Sequence, residues 1–296
     1  TISRSYPSQS RTLPCGASAV SDLPIALVYN DFFETAGGGE RSALDLAGAL
    51  ERNGFRIVLA TAHSCGLSLD QILRPFGIEP LGDWEYHEFD CGEDMCEYVH
   101  DSSVDLFVNH TYGSLLPNPA RRGFYSLMFP DVLPERSRQN IETYDRVLCN
   151  SRFTEIYAHK YWGDGAQTVV LPPPISTVHE RGSRVQLSEK EKLILVIGRF
   201  NVRGHNKCQL DAVRAFVELK QRAVLSSDWK LVVAGHVNPN PDNETYVEQC
   251  RRVGLGQRVE VRTNISIEEL CELYRRASFL WQFTGIELPL GVDPSK

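Results

Sequence analysis

Leu193-Ile-Leu-Val-Ile-Gly-Arg-Phe-Asn-Val-Arg-Gly-His-Asn-Lys207 is the stretch on which the fold reading turns. Its opening apolar run, Leu193 to Ile197, ends at Gly198. A short continuous run of this kind reads as a strand buried on both faces of a parallel sheet. The chain then turns through Gly198, Asn201 and Gly204 and takes up helical spacing from about Cys208 to Gln221. Open α/β sheets bind ligands at the carboxyl ends of their strands. Arg199 and Lys207 flank the turn at that edge, and a guanidinium with an ammonium so placed can grip a diphosphate.

The same alternation runs outward in both directions. Leu23 to Tyr29 reads as a buried strand, followed by a loop that ends in Gly37-Gly38-Gly39. A helix begins near Glu40, with Ala43, Leu44, Ala47 and Leu50 at helical spacing and Asn53-Gly54 as its stop. Phe55 to Ala60 is the next strand. The glycines let backbone N–H groups approach a ligand, and a helix N-terminus favours an anion. The motif is neither G-x-G-x-x-G nor a P-loop. A tight turn needing positive φ is the other reading of these glycines.

Further along, Asp70 to Gly77 reads as a short helix and Cys91 to Ser103 as another. Val104 to Asn109 is a strand that delivers His110 to the carboxyl edge, and Tyr125 to Pro130 gives one more. Tyr144 to Asn150 is a strand, Ser151 caps a helix from Arg152 to about Trp162, and Thr168 to Leu171 is stopped by Pro172-Pro173-Pro174. In the second half, strands are expected at Trp229 to Ala234, Val259 to Arg262 and Phe279 to Phe283. Helices are expected at Thr245 to Val253 and after Ser266, where Glu269 would complete a capping box. Strand and helix alternate in both halves, which means two doubly wound α/β domains. The boundaries read as a Ser/Pro-rich tail or linker over 1–21, an N-terminal Rossmann-like domain over 22–175, a polar linker over 176–191 and a partial C-terminal Rossmann-like domain over 192–296.

Composition narrows the function. With 296 residues, 42% of them hydrophobic, the chain can bury two cores. A net charge of -7 argues against a broad nucleic-acid footprint. The eight cysteines are scattered without a CxxC pair, which argues against structural zinc and a disulfide scaffold and for reduced cytosolic thiols. No apolar run has the length of a membrane span, and peripheral contact at the inner face of a membrane stays open. In a cytosolic chain the glycosylation patterns at Asn109, Asn243 and Asn264 read as coincidence. Arg121-Arg122 reads as a solvated pair, and Trp162, Trp229 and Trp281 as core or cleft wall.

Four stretches, taken together in order and spacing, resemble the GT-B glycosyltransferases, above all the large retaining group 1 (family 4-like) that transfers hexoses from nucleotide sugars. They are Gly37-Gly-Gly-Glu-Arg41; Cys149-Asn-Ser-Arg-Phe-Thr154 with Val169-Val-Leu-Pro-Pro-Pro174; Ile197-Gly-Arg-Phe200 followed by Lys207; and Trp229-Lys-Leu-Val-Val-Ala-Gly235 through Glu269-Leu-Cys-Glu-Leu-Tyr274. The match covers about residues 23 to 290.

The resemblance implies a GT-B fold and a set of roles. Arg199 and Lys207 match the pair that holds the donor diphosphate and stabilises the leaving group. His110 is similar to the histidine near the transferred sugar. Gly37, Gly38 and Gly39 match the loop that lines the cleft near diphosphate and acceptor. The implied substrates are a UDP- or GDP-linked sugar and a saccharide or lipid-linked acceptor, with no cofactor and no metal. The family's E-x7-E is not found: Glu287 stands alone in the closing loop, and eight residues on is Ser295. The expectation is therefore a chain truncated before the second domain is complete, with little activity on its own. A glycosyltransferase-like module that only binds a glycan or a partner is the alternative. Nothing supports a pyridoxal lysine or an epimerase carboxylate set.

Overall fold

The computed structural model describes residues 23–286 except 36, 130, 164, 166, 175–184, 203–205 and 238. The opening tail, Gly204, Glu287 and most of the expected linker lie outside the described residues. The chain divides after Pro174 into two compact units.

The first unit is a seven-stranded sheet, parallel throughout. In chain order its elements are β1 (Ile25–Tyr29), α1 (Gly38–Arg52), β2 (Arg56–Thr61), α2 (Leu69–Leu73), β3 (Glu85–Glu88), α3 (Gly92–Asp101), β4 (Leu106–Asn109), β5 (Arg122–Leu127), α4 (Glu135–Ile141), β6 (Arg146–Cys149), α5 (Arg152–Trp162) and β7 (Thr168–Val170). The strand order is β3-β2-β1-β4-β5-β6-β7. Successive strand residues face opposite sides, so a central strand feeds two cores. Ala26 and Val28 pack under Ala43, Leu44 and Ala47 of α1. Leu27 and Tyr29 pack on the other side with Met95 and Val99 of α3 and Trp162 of α5.

The second unit holds β8 (Glu191–Ile197), α6 (Gln209–Gln221), β9 (Lys230–Gly235), α7 (Pro241–Gly254), β10 (Val259–Thr263), α8 (Ile267–Arg276) and β11 (Ala277–Trp281). Its four parallel strands run β10-β9-β8-β11. The opening apolar run is buried on both faces, as its composition requires. Ile194 and Val196 pack with Val213 and Phe216 of α6, and Leu193 and Leu195 pack with Leu273 of α8. In each sheet the order reverses beside the first strand, at β1/β4 and at β8/β11. The fold is thus α/β with two parallel sheets, of the GT-B kind.

Several boundaries move for identifiable reasons. Strand β3, with sequence Glu-Tyr-His-Glu, was not foreseen: it is a polar edge strand and carries no apolar pattern. Helix α4 was not foreseen either. Strand β5 starts at Arg122 and ends at Leu127, earlier than expected. Helix α7 starts at Pro241 rather than Thr245, because Asn240 Oδ1 accepts from the Asp242 N–H and proline is favoured at the first helical position. Strand β8 begins at Glu191, inside the stretch read as linker. Half of the capping box at α8 forms: Ser266 Oγ accepts from the Glu269 N–H, but the Glu269 carboxylate takes Arg262 Nη1 at 2.7 Å. Arg121 and Arg122 are exposed and pair with Asp105 and Asp145. Trp162 is buried and donates to the Asp131 carbonyl.

Leu195 is fully buried in the middle of β8. Leu195→Ala should cost about 2–5 kcal/mol, read as a lowered urea midpoint with an unchanged slope.

Candidate functional site

The residues expected to act fall into two groups, one in each unit. In the second unit the loop after β8 is held by its backbone. The Gly198 N–H donates to the Ala234 carbonyl and the Phe200 N–H to the His236 carbonyl, at 3.1 and 2.9 Å. Phe200 is fully buried in the core beneath α6. Gln209, fully buried in the first turn of α6, donates through Nε2 to the carbonyls of Gly198 and Arg199, at 3.0 and 2.9 Å. Arg199 is left exposed between two anchored residues.

The return of the loop is pinned in the same way. Asn206 Oδ1 accepts from the Cys208 N–H at 2.8 Å and from the Tyr246 hydroxyl at 3.3 Å. Cys208 takes a left-handed conformation, φ 54°, to start the helix. Asn243 Oδ1 accepts from the Val202 N–H.

Two glycines make this geometry possible. A Cβ at Gly235 would lie 1.9 Å from the Gly198 carbonyl oxygen. A Cβ at Gly198 would lie 2.6 Å from Lys207 Cγ, so the lysine stem crosses directly over Gly198. Lys207 is half-buried, and neither it nor Arg199 is in an ion pair among the described residues. The pair predicted from sequence is brought together at the carboxyl end of β8. Two cations at that edge can neutralise charge that builds on a phosphate oxygen.

In the first unit a cavity of about 810 Å³ runs along α1, from Gly38 and Gly39 in its first turn to Arg52 in its last. Its lining is mostly apolar. Its polar end, at the carboxyl edge of the sheet, is formed by His110, Ser126 and Asn150 with Gly38 and Gly39. These side chains share the α1 face because they sit in phase with Leu106, Val108 and Leu148. Asn150 is fixed at the end of β6, donating to the Met128 carbonyl at 2.9 Å and accepting from Thr154 Oγ1 at 2.5 Å.

His110 is almost wholly buried and pairs through Nδ1 with Ser126 Oγ at 2.7 Å. Its Nε2 is buried without a hydrogen-bond partner among the described residues, as is Trp84 Nε1 on the same cavity wall. Burial pulls the His110 pKa down to about 4, opposed only in part by the Gly39 backbone, so the imidazole is neutral at pH 7.

The glycine loop differs from its sequence reading in one respect. None of Gly37, Gly38 and Gly39 has a positive φ, so the tight-turn explanation fails. Gly39 instead lets Met128 approach: an added Cβ would lie 3.2 Å from Met128 Cε. The start of α1 also carries its own carboxylate. Buried Glu40 accepts from the Gly37 N–H at 2.6 Å and from Thr35 Oγ1 at 2.8 Å. That carboxylate offsets much of the positive end of the helix.

Sequence reading missed Gln209, Asn206, Ser126 and Asn150 as site residues. The signal for Gln209 was a polar residue opening an otherwise apolar helical face. Ser126 was recoverable only from the register of β5 beside β4, which places its partner strand. Among the described residues no cluster of three His, Cys, Asp or Glu side chains could hold a metal ion. No helix there is long and apolar enough to cross a membrane.

His110 sets a pH dependence. Below pH 6.5 the unfolded chain takes up a proton that the folded protein refuses until about pH 4. Stability is therefore full above pH 6.5 and falls as pH falls through that window, by roughly 2 kcal/mol between pH 7 and 5. His110→Phe should flatten this component, seen as a smaller difference between urea midpoints at the two pH values.

Comparison with known proteins follows the same division. No curated protein sequence matches the chain. Solved structures share its fold, among them the following three. A glycosyltransferase from Rickettsia africae ESF-5 is 15% identical with a TM-score of 0.64, over 88% of this chain and 73% of that one. Anabaena Alr3699/HepE, in complex with UDP-glucose, is 15% identical with a TM-score of 0.61, over 88% and 74%. A trehalose-6-phosphate synthase, studied for glycosyl transfer with retention, is 12% identical with a TM-score of 0.58, over 86% and 76%. Residues 180–282, which include Arg199 and Lys207, match the family Glycosyl transferases group 1.

Proposed function

We propose that this chain transfers a hexose from a nucleotide-sugar donor, UDP- or GDP-linked, to a saccharide or lipid-linked acceptor with retention of configuration. The observation that carries the proposal is the Arg199/Lys207 turn at the carboxyl end of β8, where buried Gln209 holds the Arg199 carbonyl and the stem of Lys207 crosses over Gly198. Breaking a sugar–phosphate bond builds negative charge on the leaving oxygen. A guanidinium and an ammonium placed there lower that barrier, and they supply the positive charge a metal would otherwise bring. The match of residues 180–282 to the group 1 glycosyltransferases and the likeness to a UDP-glucose complex support a nucleotide sugar as the ligand.

In this reading Arg199 and Lys207 grip the diphosphate. His110, a neutral imidazole, contacts a hydroxyl of the transferred sugar, and Gly37, Gly38 and Gly39 line the cleft beside donor and acceptor. Work at the inner face of a membrane, in the cytoplasm, fits a lipid-linked acceptor.

The test is direct binding of UDP and GDP to the whole chain, followed by turnover of a panel of their sugars. Arg199→Ala and Lys207→Ala should each weaken nucleotide binding by more than tenfold, and Lys207→Ala should cut turnover by about a hundredfold or more. Melting temperatures should stay within a few degrees. Unchanged affinity in both variants would remove the diphosphate role and favour a module that binds glycans without catalysis.

A further inference from the structure

We propose that α7 is the element that places Lys207, and that Tyr246 is a positioning residue for the nucleotide diphosphate, acting through its hydroxyl on the backbone either side of that lysine. This deepens the glycosyl-transfer reading and rests on it for the diphosphate; the claim about the backbone stands without it.

The start of α6 takes its support from another helix. First-turn N–H groups have no partner within their own helix and are commonly met by an N-cap side chain. Here the N-cap is Cys208, left-handed at φ 54° and ψ 40°, and its side chain makes no cap hydrogen bond. A residue other than glycine keeps that conformation only where its surroundings impose it. The partner comes from α7: the Leu210 N–H donates to the buried Tyr246 hydroxyl at 3.1 Å. The same hydroxyl donates to Asn206 Oδ1 at 3.3 Å, and that oxygen also takes the Cys208 N–H at 2.8 Å. One phenol thus joins the residue before Lys207 to the helical turn after it. Burial pushes the Tyr246 pKa up to about 12, so the hydroxyl keeps the proton it donates.

Helix α7 also meets the outgoing side of the loop. Asn243, three residues before Tyr246 and on the same helix face, accepts through Oδ1 from the Val202 N–H at 3.2 Å. Tyr246, Val247 and Cys250 pack with Leu210, Val213 and Phe216 of α6, so the phenol is set by the core of the unit. The two cations of the turn therefore depend on different helices. Gln209 of α6 takes the Arg199 carbonyl, whereas the chain around Lys207 is tied to α7. A shift of Asn206 to Cys208 would carry the lysine stem away from Gly198, over which it now crosses. Misplacing a positioned group by about 1 Å is enough to weaken its interaction severely.

The experiment is a double-mutant cycle on the whole chain. It is read as UDP and GDP affinity by calorimetric titration, with amide hydrogen exchange of the free protein beside it. Tyr246→Phe removes the hydroxyl and keeps the ring. It should weaken whichever nucleotide binds more tightly by about fivefold or more. In a Lys207→Ala background the same change should cost less than about twofold, and in an Arg199→Ala background it should keep its full effect. Without nucleotide, the Leu210 amide should exchange about tenfold faster or more, with the amides of β8 and β9 unchanged. A tyrosine that merely supported the fold would act equally in all three backgrounds and loosen the strands too. If Tyr246→Phe does not fold, Asn206→Ala opens the same link at a half-buried position. It carries the same expectations for nucleotide, with the Cys208 amide in place of Leu210. Equal loss in every background, no loss, or unchanged exchange at the amide concerned overturns the proposal. If neither nucleotide binds, the donor reading falls and the exchange result alone decides this one.

Discussion

The carbonyl of Gly198 lies where a side chain at position 235 would have to begin. That single close approach organises the second unit's edge. It lets β8 and β9 leave the sheet side by side, and their exits go on exchanging hydrogen bonds past the last paired residues. The loop is thereby a continuation of the sheet, and Arg199 is carried on nearly rigid backbone. Gln209 completes the arrangement by taking two consecutive carbonyls that the turn would otherwise leave bare inside the protein. The anchored backbone fixes where the Arg199 side chain starts, at the carboxyl end of β8.

The first unit uses the opposite chemistry at the same topological position. There the strand end delivers a histidine that burial keeps neutral, and the adjoining helix start is already occupied by the carboxylate of Glu40. One sheet edge is cationic and the other is neutral to acidic.

Much of this was legible in the sequence. A run such as Leu193 to Ile197 has one stable setting, the middle of a parallel sheet, and the turn signals after it place Arg199 and Lys207 at the carboxyl edge. Helix α5 was readable from its start because Ser151 caps it, and it ends at Trp162 with Gly163 as its C-cap. The unread parts share a physical cause. Strand β3 is stabilised by backbone pairing to β2 at an edge, so its side chains carry no burial signal. Gln209 and Ser126 act through neighbours set by tertiary register, which no local pattern contains. The role of Gly235 depends on an atom 37 residues away.

The glycine run Gly37-Gly38-Gly39 shows how composition can suggest the wrong physics while marking the right place. Three glycines before a helix suggest positive φ or a naked anion hole. Here the backbone is ordinary, and the helix start supplies its own anion. What the glycines provide is absence: no side chain stands between the first turn of α1, Met128 and the end of the cavity where His110 lies. A larger residue at position 39 would press on Met128 and close that end. The role of Gly39 in the structure is thus steric: it leaves room for Met128 beside the first turn of α1.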